Sequence, residues 1–215
     1  MSSLWQTTTS AEWQVQLASV DSRIQSLAKP GLLELDRWWV QELPSVMQAR
    51  EQLFLEKHEI VKLVEWKLTR GKWRPKLLDY AKHASEEEVL VTTKKAFACL
   101  GSAEAPALQE VEEALKELIG LKGTGPATAS AMLTAVSASL PFMSDEAMAA
   151  ALPGRPEYTV KKYLQLVTAL RSKAESLSNS SGETWSAAKV ERALWSEALA
   201  IQLSKRESKG TKRKR

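Results

Sequence analysis

Trp13, Leu17, Val20, Ile24 and Leu27 follow one another at steps of four, three, four and three. That spacing paints one face of an α-helix, and no two-residue alternation of useful length competes with it anywhere in the chain. Pro30-Gly31 ends this first segment, and Pro30 is placed to open the next at its first helical position. The second segment, Leu32 to Leu43, carries Trp38-Trp39, one ring expected inward and one outward. It should stop before Pro44, because the residue preceding proline avoids helical geometry. Ile60, Leu63, Val64 and Leu68 mark a helix ending near Gly71, and Pro75 begins another with Leu77, Leu78 and Tyr80. Glu86–Glu88 place negative charge where a helix N-terminus favours it. Helical stretches follow at Leu108–Ile119, Ala127–Leu140, Tyr158–Leu177 and Ala187–Leu203. The fold class predicted is all-α.

Hydrophobic residues make up 44% of the 215, enough apolar material for a real core. The expected organisation is one compact helical domain over residues 12–203, two-lobed at most, with a flexible N-terminus at 1–11. Gly101–Ala107 and Ser176–Glu183 read as polar connectors. A single cysteine, Cys99, excludes a disulfide framework and a four-thiolate cluster. The two histidines, His58 and His83, fall on different predicted helices, so no metal site is expected. No Walker loop, dinucleotide fingerprint or nucleophile elbow occurs, so no organic cofactor is expected either. With no membrane-length apolar run and a polar start, the chain reads as a soluble intracellular monomer with no membrane partner.

The net charge of +4 divides unevenly. Residues 204–215 hold seven cations and one acid, which leaves the remaining body at about −2. This basic tail has nothing apolar to bury and is expected to be disordered, as a nuclear-import signal or a phosphate-binding arm. Nuclear localisation follows as an expectation. Any surface for nucleic acid on the body must be local.

Leu118 to Asp145 is the most informative stretch. Gly123-Thr124-Gly125 lies between two helices, with Pro126 early in the second. Paired glycines at such a turn permit unusual backbone and leave amides exposed at a helix start, an arrangement suited to phosphate. A plain tight turn explains the same residues. Downstream, Pro141-Phe142-Met143-Ser144 leads to Asp145, which reads either as a functional carboxylate or as a cap or first-turn acid of a helix over Ala147–Leu152.

Leu121-Lys122-Gly123-Thr124-Gly125, followed by Ala127-Thr128-Ala129 and a small-residue helix, resembles the helix-hairpin-helix of the DNA glycosylase superfamily, which includes endonuclease III and adenine glycosylases. The resemblance covers about thirty residues within a hairpin unit at roughly 108–140 and its downstream aspartate. It implies that Lys122, Gly123, Thr124 and Gly125 hold the DNA backbone and that Asp145 occupies the catalytic position. A carboxylate there would stabilise the oxocarbenium character of a sugar losing its base, once that base has left the stack. Bifunctional members carry a lysine where this chain has Ala127, which implies base removal without a Schiff base or strand cleavage. Glu146-Ala147-Met148 depart from the residues that usually follow the family's aspartate, and one cysteine excludes the iron–sulfur tail.

Trp66 to Lys76 adds a second signal, five cations with two tryptophans and no acid. Arg70, Lys72, Trp73 and Arg74 read as DNA contacts, cations on phosphates and a ring available to stack. The alternative is that the tryptophans anchor the core while the cations stay solvated. Both stretches are expected to border one groove. The function expected is DNA binding, with monofunctional N-glycosylase activity through Asp145; the alternative is a non-catalytic DNA- or protein-binding module on the same scaffold.

Overall fold

The computed structural model describes residues 2–101 and 104–212. Its helices are α1 (Ser3–Gln6), α2 (Ser10–Ala18), α3 (Val20–Ser26), α4 (Leu32–Arg37), a π-turn (Trp38–Glu42) and α5 (Leu43–Gln48), then α6 (Lys57–Arg70), α7 (Pro75–His83) and α8 (Glu86–Ala98). The second half holds α9 (Leu108–Ile119), α10 (Pro126–Val136), α11 (Asp145–Ala151), α12 (Val160–Ser181) and α13 (Ala187–Lys212). No strand occurs among the described residues, and the fold is all-α. None of these helices is long and apolar enough to cross a membrane.

Consecutive helices pair as α6 with α7, α8 with α9, and α12 with α13, while α13 also packs on α2, α3 and α11. One continuous cluster of buried side chains runs through them from Leu4 to Leu199, including Trp13, Trp66, Tyr163 and Trp195. The stepped face read from Trp13 to Leu27 is divided between α2 and α3, and Trp13, Val20, Ile24 and Leu27 are buried from both.

Several expectations are corrected. Of the segment expected to be flexible, residues 2–11 are held down: α1 buries Leu4, and the Glu197 carboxylate accepts hydrogen bonds from the Ser2 and Ser3 hydroxyls and from Leu4 N at 2.9 Å. Trp5 meets Trp13 edge-on at 6.4 Å, so this short segment has the apolar anchor that holds it down. Pro30 lies outside the next helix, whose start falls to Gly31 at φ +74°. Pro44 does not stop the second segment. The chain widens into the π-turn, Leu43 N donates to Trp38 O five residues back, and α5 continues with Pro44 in its first turn. A widened turn accommodates the missing N–H and the ring together. Trp38 and Trp39 both point inward and are both buried. The loop expected from Ser176 begins later, since α12 reaches Ser181 and ends on Gly182 at φ +71°. The tail is helical as far as Lys212, where adding residues to an existing helix incurs no nucleation cost; residues 213–215 lie outside the described residues.

Candidate functional site

A cleft of about 340 Å³ opens where the end of α6, the loop to α7, the turn before α10 and the start of α11 meet. Its lining includes Lys72 and Arg74 from the basic loop, Gly123 and Gly125 from the glycine turn, and Asp145. Stretches about fifty residues apart in sequence therefore border one groove.

The turn is held from beneath by α7. Gly123 sits at φ +83°, and a Cβ there would lie 2.7 Å from Tyr80. Only glycine satisfies both the backbone sign and that close approach. Gly125 is different: its φ of −103° is ordinary, and a Cβ would meet nothing within 4 Å. Gly125 O accepts from Thr128 N and Ala129 N at 2.9 and 3.0 Å, which starts α10. Neither Gly125 N nor Ala127 N has an acceptor among the described residues, and Pro126 between them has no N–H to offer. Two unsatisfied donors on either side of a proline, at the positive end of a helix dipole, are chemically able to accept an anion. The Lys122 ammonium lies 5.2 Å from the centroid of the Tyr80 ring. Lys122, Thr124 and Trp73 do not line the cleft, although Trp73 is 52% exposed at the neighbouring loop.

Asp145 reaches the same cleft through a short chain of local bonds. Ser130, buried in α10, donates from its hydroxyl to Ala127 O at 3.0 Å and accepts from Met143 N at 2.9 Å. That bridge ties the segment before α11 to the helix that follows the glycine turn. The N-cap of α11 is Ser144, whose hydroxyl accepts from Ala147 N at 3.3 Å. Asp145 is the first helical residue and leaves the capping to its neighbour. It is exposed, and its Oδ1 accepts from the Tyr158 hydroxyl at 2.5 Å. Burial and the adjacent carboxylate push the Tyr158 phenol well above its usual range, so it remains a donor at any ordinary pH.

Arg70 does not have the role expected of it. Although it lines the cleft floor, its side chain is 4% exposed and bonded to Glu191 of α13 at 2.5 Å. Its guanidinium lies 3.8 Å from the Trp195 ring centroid and 4.7 Å from that of Phe142. Burial pushes the Glu191 carboxyl upward, while Arg70 and a hydrogen bond from Ser144 pull it back. Arg70 thus supports the ground beneath Asp145, with its charge answered inside the protein. Trp66 is likewise interior, stacked on Trp39 at 3.9 Å and donating from Nε1 to Asp36 at 3.0 Å. Asp36 is in turn paired with Arg192.

The basic loop is set by its ends. Lys29 Nζ donates to the carbonyls of Thr69 and Arg70 at 2.7 and 2.9 Å, closing the C-terminus of α6, and Pro75 starts α7 three residues beyond Lys72. Between these fixed points Lys72, Trp73 and Arg74 are exposed. Sequence reasoning overlooked Tyr158, and it counted Lys67 among the cations without giving it a place in the site. Both line the cleft. Burial, with Arg74 nearby, lowers the Lys67 pKa from 10.5 to about 8.

Comparison of the chain with protein-family models, with curated proteins and with solved structures returns no match.

Proposed function

We propose that the cleft binds DNA, with a phosphate on the amides of Gly125 and Ala127 and flanking phosphates on Lys72 and Arg74. The observation that carries this reading is the convergence of unsatisfied amides, exposed cations and a carboxylate on one groove. Backbone amides and cations are what a phosphate chain requires for positioning. The resemblance to helix-hairpin-helix DNA glycosylases adds the chemistry: Asp145 stabilises positive charge on a deoxyribose whose base is leaving. Tyr158, bonded to the carboxylate, fixes its orientation. The basic tail supplies nuclear import or an additional phosphate-binding arm.

A second reading, a non-catalytic DNA-binding module, is favoured by one feature. Asp145 is open to solvent, whereas a charge-stabilising carboxylate acts most strongly where water is excluded. Bound DNA would have to supply that exclusion.

The test uses Lys72, Arg74 and Lys76, since Arg70 is committed to Glu191. Replacing the three with glutamine should weaken binding to unrelated duplexes alike. It should also reduce the slope of log affinity against log salt by about one for each phosphate that is no longer neutralised. An unchanged slope, measured by fluorescence anisotropy with and without residues 204–215, would remove the basic loop from the interface.

A further inference from the structure

The C-terminal helix brings its first cations down onto the body, beside the loop that borders the cleft. Leu199, Leu203 and Arg206 follow one another at steps of four and three along α13, so they share one face. Leu199 is buried and Leu203 packs half-buried on the same core, which turns that face inward. Arg206 therefore meets the protein one turn beyond the last apolar contact. Its Nη1 donates to Leu27 O at 3.4 Å, and the residue is otherwise exposed. Two residues on from Leu27, Lys29 Nζ closes α6 on the carbonyls of Thr69 and Arg70, with Gly71 O at 3.4 Å. Gly71 and Lys72, next in the chain, line the cleft. Ala28, between the two contacts, has a φ of +53°, a left-handed backbone that alanine seldom adopts. Leu27 in the core and Lys29 on the end of α6 hold it there, so the turn is fixed from both sides.

We infer that Arg206 and Lys29 form a second phosphate-binding point for duplex DNA, fixed on the body beside the cleft and continuing the cations of Lys72 and Arg74. The inference rests on the DNA reading above and goes beyond it by giving the start of the tail a set place on the duplex. Neither Arg206 nor Lys29 forms an ion pair among the described residues. Burial, and then the charge of Arg206, lower the Lys29 pKa, and Glu146 is the acid that opposes them. Two cations held side by side repel each other, and a polyanion laid across them removes that cost. Duplex DNA carries a charge about every 1.7 Å of its axis, so cations that continue past a cleft meet further phosphates of the same molecule. The bond to Leu27 O uses one guanidinium N–H of Arg206 and leaves the others for a phosphate. Lys29, turned toward its carbonyls, contributes charge and the rigidity of the turn.

The test is fluorescence anisotropy of the full chain with one labelled duplex, repeated over a range of salt concentrations. Arg206→Gln should flatten the slope of log affinity against log salt by about one, the share of a single neutralised phosphate. Arg206→Lys should keep the slope, because charge and not the shape of the guanidinium sets it. Lys189→Gln makes the same change of charge at the other end of α13, seventeen residues and about 25 Å away, and should leave the slope as it was. Arg206 and Lys189 are both exposed, so these variants are expected to fold as the parent does. An unchanged slope in Arg206→Gln, an equal loss in Arg206→Lys, or an equal loss in Lys189→Gln would each overturn the inference while leaving the cleft reading intact. Failure of the unaltered chain to bind the duplex would overturn both.

Discussion

Replacing Arg70 with methionine is expected to destabilise the protein by about 3–5 kcal/mol, the usual cost of leaving one member of a buried ion pair alone. Glu191 is fully enclosed, and burial already pushes its carboxyl upward; Arg70 is the main influence opposing that push. Without the guanidinium, Glu191 must take up a proton or draw in water. The Ser144 hydroxyl beside it is then left without a charged acceptor directly under α11. The double variant Arg70→Met, Glu191→Leu should recover most of the stability, since replacing both partners by apolar groups removes the desolvation penalty together with the attraction. Urea unfolding followed by circular dichroism reads both effects. A destabilisation below about 1 kcal/mol in the single variant would return Arg70 to the surface role its neighbours suggest.

Asp145→Asn should lower base release by about 100- to 1000-fold, in the range seen when one group that stabilises transition-state charge is removed. DNA binding should persist or improve, because a carboxylate near bound phosphate repels it. The helix should be undisturbed, because Ser144 and not Asp145 is its N-cap. The assay is release across a panel of damaged and mismatched duplexes, with alkali to break the abasic sites formed. Release that survives the substitution would remove Asp145 from the chemistry. Silence from the unaltered protein, with binding confirmed, would favour the non-catalytic module.

Much of the helical architecture was legible because it is local. The three-and-four spacing of Ile60, Leu63, Val64 and Leu68 lies within α6, and Ser85 caps α8 just where the acidic run begins, accepting from Glu88 N at 3.0 Å. In the sequence the glycine turn and Asp145 are linked only by the resemblance; in the fold the Ser130 hydroxyl ties α10 to the segment before α11, with a partner thirteen residues away. What stayed hidden depends on distant partners. Arg70 looks like Lys72 and Arg74 in sequence, and only Glu191, 121 residues on, distinguishes it. Lys67 and Tyr158 carry no local mark either, since the cleft that both line is assembled from segments far apart in sequence. Gly123 and Gly125 look equivalent on paper. Tyr80, more than forty residues earlier, makes one of them indispensable and leaves the other free.

That freedom at Gly125 supplies the most direct test of the central claim, that DNA lies on this turn. Valine at Gly125 has an allowed φ and open space around its Cβ, so it should fold as the parent does, with unchanged helix content by circular dichroism. Its side chain would stand beside the free amides of Gly125 and Ala127, where a phosphate must approach closely. Duplex affinity measured by anisotropy at fixed salt should therefore fall by about tenfold or more, the equivalent of one charge-assisted hydrogen bond. Undiminished affinity in the folded variant would contradict the account, because DNA would then be bound without touching the turn.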